Sequence, residues 1–295
     1  MTVRLGVTLP QFSDDARRAV QAAQSAEAVG LDSVWLFDHL WPLTGGRDRM
    51  MLEGWSTLAA VAAATERITI GTLVTRSTLR HPALLAKMAA TVAAIAPGRL
   101  IVGLGSGDHK SRSENEAFGI PYHSGVDRTD QLRSTAEVCR SFWDAAAFSH
   151  TDDFVTVEKL PASPKPPGAP KLWIGGRGDA ALAIAADIGD AWNGWSGSAK
   201  HLAEDAARVR TAAGERPVGI TWGGQVSFGA GDPASLAQRH KDPYLVSGPP
   251  EALVQSLSDY VAAGAEHIIL TQVGHWSEEV QEALGTEVGP ALKSL

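Results

Sequence analysis

The chain has 295 residues, 44% hydrophobic and 20% charged, with 26 Lys and Arg against 33 Asp and Glu for a formal charge of −7. That balance excludes a disordered chain and a broad surface for holding a nucleic-acid backbone, which needs clustered Lys and Arg. One cysteine, Cys139, excludes an internal disulfide and any multi-thiolate metal site built from this chain alone.

The opening stretch MTVRLGVTLPQFSDD is neither a secretory segment nor a spanning helix, because Pro10, Gln11 and two acids break its short apolar run. No later stretch offers about eighteen uninterrupted apolar residues, so a cytoplasmic protein that neither enters a membrane nor binds nucleic acid is expected. Short β-branched runs then alternate with Ala-rich helical stretches. Strands are predicted over 3–8, 33–37, 68–75, 100–103, 171–174, 191–194, 218–226 and 267–271, each followed by a helix. The first helix carries a stripe of Ala16, Ala19, Val20, Ala23 and Ala26, with Ser13 as its predicted N-cap and Gly30 as its stop. The third opens at Pro82 and places Leu84, Leu85, Met88, Val92 and Ile95 toward the core, and the fourth groups Leu132, Ala136, Cys139 and Trp143. A lone thiol on that face reads as packing. Eight βα units predict a (β/α)₈ barrel as one domain over 1–295, preferred to two domains because no linker divides the units. The surplus length falls in loops at 41–54, 106–126 and 229–250, and in a hairpin inserted around 148–160 with a Pro-rich return.

In such a barrel the chemistry lies just past the C-terminal ends of the strands. Gly175-Gly176-Arg177-Gly178 precedes a helix whose N-terminus favours an anion, although glycines there also serve simply as tight turns. Gly103–Gly107 lacks the G-x-G-x-x-G spacing of a dinucleotide fold. Asp38-His39 is the one acid–His pair at a strand end, and only one of the two can face the mouth because strand side chains alternate. Nine tryptophans against three tyrosines need an explanation. Trp35, Trp55 and Trp143 read as packing, whereas Trp41, Trp195, Trp222 and Trp276 fall near strand ends as the wall of an apolar pocket. No metal-ligand spacing and no G-x-S-x-G elbow occurs. A phosphate-bearing organic cofactor under an apolar roof is the reading these residues support.

The strings LGVTLPQF, AEAVGLDSVWLFDHLW, ITIGTLVTRSTLRHPALLAKMAATVAAIAPGRLIVGLGSGD, PKLWIGG and IGDAWNGW resemble the luciferase-like flavin and deazaflavin barrels, most closely their coenzyme F420-dependent oxidoreductase branch. The resemblance spans nearly the whole chain. It implies a non-prolyl cis peptide at Leu73–Val74, with Leu73, Val74 and Thr75 behind the cofactor ring. It further implies His39 as proton donor or acceptor beside Asp38, and Gly105, Ser106, Gly107 and Asp108 along the cofactor. Some relatives carry a proton-transferring acid at the position of Asp108. Gly175, Gly176 and Arg177 match the phosphate turn, with Gly197 close by, and Lys110 and Arg112 either meet the cofactor's acidic tail or are solvated charges. Gln11, Phe12, Trp41, Trp195 and Trp222 are the expected substrate contacts. The implied activity is hydride transfer between F420 and a small organic substrate. The alternatives are an FMN-dependent monooxygenase and a non-catalytic carrier of either cofactor, and a homodimer is a family-level expectation only.

Overall fold

Each predicted β-branched run forms a strand in the computed structural model, which describes residues 2–42, 46–229, 233–273 and 276–295. The strands are β1 (Arg4–Thr8), β2 (Ser33–Leu36), β3 (Thr69–Thr72), β4 (Leu100–Gly105), β5 (Lys171–Gly175), β6 (Ala191–Trp195), β7 (Gly219–Phe228) and β8 (His267–Gln272). Consecutive strands pair in parallel, and β8 pairs back onto β1 with His267 opposite Arg4, which closes the barrel. Around it run α1 (Arg18–Ala28), α2 (Gly54–Ala64), α3 (Pro82–Ile95), α4 (Gly125–Asp144), α5 (Asp179–Asp187), α6 (Ala199–Ala213), α7 (Pro250–Ala262) and α8 (Glu278–Ala283).

Alternation along the strands sends Trp35, Leu73, Ile101, Trp173, Ala191 and Ile269 into the barrel, where they form a core separate from the larger strand–helix layer. Trp35 and Trp173 pack against each other in it, with ring centroids 4.8 Å apart. Glycine makes the room: a Cβ on Gly71 would stand 2.4 Å from the Trp35 ring, and one on Gly6 would stand 2.0 Å from Ser33 Oγ. Ser33 Oγ accepts from Trp35 Nε1 at 2.7 Å and lies 2.6 Å from His267 Nε2.

Burial, aided by the charge of Arg4, pushes His267 down to about 3, so the imidazole is neutral in the fold. The unfolded chain binds a proton at His267 near its ordinary 6.5 and the native chain does not. This contribution to stability is therefore complete above about 6.5 and is lost as pH falls toward 3. At pH 4 it costs about 3 kcal/mol relative to pH 7.5. Urea unfolding at the two pH values should show His267→Asn losing correspondingly less stability on acidification than the wild type; equal losses would contradict this origin.

Local structure departs from the sequence reading in three places. Ser13 does not cap α1: its Oγ accepts from Asp15 N, and the helix starts five residues on, with Arg17 at its uncapped N-terminus. The run 68–75 is broken after Thr72 by the cis peptide Leu73–Val74, beyond which Thr75–Arg76 rejoins the sheet on β4. In α3 the Ala-rich face, with Leu85, Ala89 and Val92, packs inward, while Leu84 and Ile95 are exposed. Small residues on the buried face let that helix lie close to the sheet, with Leu85 and Val92 the larger side chains that remain inside.

The hairpin is present as antiparallel strands Ala147–Thr151 and Thr156–Pro161. Cys139 is fully buried, and burial pushes its thiol up to about 12. The insertion after β4 folds into a short helix, Arg112–Ala117, and the one after β7 contains the helix Pro233–His240 and the strand Val246–Gly248. Residues 43–45 of the first predicted loop and 230–232 of the last lie outside the described residues.

Candidate active site

The β2 terminus separates Asp38 from His39, as strand alternation requires. Asp38 turns away from the mouth, is fully buried, and pairs with Arg80 through two bonds of 2.5 and 3.0 Å. Arg80 also holds Glu53, whose carboxylate caps α2 by accepting from Trp55 N and Ser56 N. Asp38 thus braces β2 against the segments that open α2 and α3, turned away from the mouth.

His39 remains partly open, its side chain 19% exposed, with Nδ1 2.9 Å from Glu114 Oε2. Glu114 is fully buried in the helix Arg112–Ala117 and also accepts from Leu40 N through its other oxygen. Arg76 Nη2 lies 2.9 Å from Glu114 Oε2 as a charge contact without hydrogen-bond alignment, while Nη1 donates to Asn115 Oδ1 at 2.8 Å. Burial alone would raise the Glu114 carboxyl, but His39, the Leu40 N–H and Arg76 outweigh it and hold it below the usual range. Sequence reasoning missed Glu114. It sits among other acids and polar residues in an insertion, and only the fold brings it to His39.

Val74, just past the cis peptide, fills the space between β4 and β5. Cβ atoms on Gly105 and Gly175 would stand 2.7 and 3.0 Å from its methyl groups, and one on Gly103 would stand 2.2 Å from Thr72 O. These glycines admit the Val74 bulge, a steric role that the anion reading did not foresee. Leu73 is buried beside Gly223, whereas Thr75 turns its hydroxyl into the core to accept from Trp55 Nε1 at 2.9 Å and offers no side chain to a ligand. Asp108 spends its Oδ1 capping the turn His109–Ser111, accepting from Lys110 N and Ser111 N. Asp108 is exposed, and only this one oxygen is engaged by the turn. Ser106 and Gly107 are half-buried along this loop, and Lys110 and Arg112 are exposed.

At the β5 end Gly176 adopts φ 132°, and Gly178 starts α5 without a side-chain cap and with open space above it. Arg177, 40% exposed, is steadied by Asp205 at 3.1 Å and leans over Gly197, where a Cβ would collide with its guanidinium. Uncapped N–H groups, a helix N-terminus and a tethered cation fit a phosphate. Within the barrel, Asn193 is 2% exposed and its Nδ2 has no partner among the described residues.

The aromatic wall is smaller than expected. Trp195 is 37% exposed and meets Phe37 edge-on at 5.9 Å. Trp222 is fully buried on the outer face, stacked on Tyr260 at 4.0 Å with Nε1 donating to Ser196 O, so it cannot touch a substrate. Gln11 is equally buried, donating to Phe37 O and Leu52 O and accepting from Phe37 N. It fixes the β2 end from inside. Trp41 stands under Arg47 and against Phe118 on the insertion, apart from Trp195. Phe12, Phe37 and Trp276 instead line a cavity of about 1160 Å³ above β1, β7 and β8, together with Arg18, Arg239 and Lys241 and with Asp14 and Asp15. Among the described residues no group of three or more His, Cys, Asp or Glu could hold a metal, and no helix is long and apolar enough to cross a membrane.

The model of the luciferase-like monooxygenase family matches residues 2–288. The chain belongs to this family. Within it, an F420-dependent glucose-6-phosphate dehydrogenase from Beutenbergia cavernae is 28% identical over 91% of both chains. An F420-dependent hydroxymycolic acid dehydrogenase from Mycobacterium tuberculosis is 30% identical over 73% of this chain and 58% of its own. An F420-dependent secondary alcohol dehydrogenase, solved with an F420-acetone adduct, superposes with a TM-score of 0.84 over 99% of each chain at 21% identity, a likeness of fold.

Proposed function

We propose that this luciferase-like protein is an F420-dependent oxidoreductase that passes a hydride between the deazaflavin and an organic alcohol or carbonyl compound. The observation that carries the reading is the match, over nine-tenths of the chain, to a relative named for F420-dependent dehydrogenation. The residues present fit the cofactor: the uncapped α5 N-terminus with Arg177 suits its phosphate, and the Val74 bulge offers a ridge for the ring. Bound F420 supplies a two-electron hydride acceptor or donor.

The chain's own residues supply the rest. His39 takes or returns the proton at Nε2, which makes no hydrogen bond among the described residues. Trp195 and Phe37 shield the mouth from water, and the neighbouring cavity above β1, β7 and β8 receives the substrate.

Equilibrium titration of the protein with F420 and with FMN tests the cofactor, and a panel of secondary alcohols and sugar phosphates, followed by the absorbance of oxidised F420, tests the activity. Tight F420 binding with turnover of one class is expected. A preference for FMN overturns the reading in favour of a monooxygenase. Arg177→Gln should weaken F420 binding roughly tenfold, equivalent to ~1.4 kcal/mol, without lowering thermal stability. An unchanged Kd would place the phosphate elsewhere.

A further inference from the structure

We propose that Glu114 is the positioning residue that holds His39 in the tautomer protonated at Nδ1, so that Nε2 presents a bare lone pair to the substrate's proton. The proposal rests on the hydride-transfer reading for its purpose and on geometry for its substance. Glu114 has no exposed surface whereas the His39 side chain is 19% exposed, so Glu114 acts through His39 and not on a substrate. Its two oxygens engage consecutive residues, the His39 ring and the Leu40 N–H, which fixes both the ring and the backbone that carries it.

An ionised carboxylate accepts hydrogen bonds and cannot donate one, so the 2.9 Å contact to Nδ1 requires the proton to be on the imidazole. Arg76, 3% exposed, keeps that carboxylate ionised, and is itself tied to the insertion through Asn115, whose Nδ2 donates to Pro121 O at 3.1 Å. With Nδ1 committed, a neutral His39 has one free site, an acceptor at Nε2.

The step this prepares is balanced. The substrate's C–H and O–H bonds break as its C=O bond forms. Bound deazaflavin would accept the hydride, the proton goes to Nε2, and the resulting imidazolium sits against the Glu114 charge until water removes the proton through the open edge of the ring.

Nitrogen-15 NMR of histidine-labelled, cofactor-free protein in mildly alkaline buffer reads the tautomer directly, with His39→Asn assigning the signal. The wild type should show a protonated Nδ1 and a bare Nε2 at His39. Glu114→Ala should lose this fixed tautomer. Arg76→Met/Glu114→Ala, which leaves no uncompensated buried guanidinium, should lose it too in a protein that keeps its fold. A wild-type His39 protonated at Nε2, or the wild-type tautomer retained in the double variant, overturns the proposal. Neither reading needs turnover, so a failure of the F420 assignment remains distinguishable from a failure of this one.

Discussion

His39→Ala is expected to lower turnover of an alcohol substrate by ~10²–10⁴-fold, the range that a positioned general acid–base supplies, while leaving the Kd for F420 within about twofold. The separation follows from geometry. Cofactor contacts are expected along β3 to β5 and at the α5 N-terminus, whereas His39 hangs from the β2 end on Glu114. Removing the ring leaves Glu114 with its Arg76 contact and the Leu40 N–H, so the carboxylate stays satisfied and the insertion stays docked. Stopped-flow kinetics of F420 reduction beside equilibrium cofactor titration makes the measurement. A variant that keeps wild-type turnover removes His39 from the chemistry, and one that loses F420 affinity in step with turnover makes it a cofactor contact.

What could be read in advance, and what could not, divides along a physical line. Strands are legible because β-branched runs between Ala-rich stretches reflect a local preference, and all eight form. Which face a side chain takes is also local, and applying it more strictly corrects the aromatic wall. Gly194 pairs with Trp222 and Gly223 with Trp195, so the two tryptophans lie one register step apart and face opposite sides of the sheet. Only Trp195 points into the mouth. The same alternation assigns Asp38 to the helix layer once His39 faces the opening.

Long-range pairing is different in kind. Glu114 is 75 residues from His39, and Arg80 is 42 from Asp38. No spacing rule links such pairs. Glycines mislead for a related reason: Gly105 and Gly175 looked like ligand cradles, but each is small because Val74, distant in sequence, needs the space. Open backbone comes only further on, at Gly178, where nothing stands within 4 Å of a Cβ and the helix N-terminus has no side-chain cap.

Asp38→Ala is expected to act on stability, by about 3–5 kcal/mol, because it strips a partner from a charge network withdrawn from water. Asp38 has no exposed surface and the Arg80 side chain only 12%, so the Arg80 guanidinium would be left with Glu53, itself a third exposed, as its one carboxylate. Burial would lower the Arg80 guanidinium, and its two carboxylates outweigh that and raise it, which indicates how much of its charge they offset. Combining Asp38→Ala with Arg80→Met should cost less than the sum of the single changes, since the double variant buries no unpaired charge. His39 should keep its place throughout, held by Glu114 through ring and backbone and by Gln11 at the Phe37 peptide. Denaturant unfolding of the four proteins in the cycle reads the coupling, and kcat measured on the folded fraction should change by no more than a few-fold. If Asp38→Ala instead abolishes turnover at full stability, the carboxylate belongs to the proton path and the brace assigned to it here is wrong.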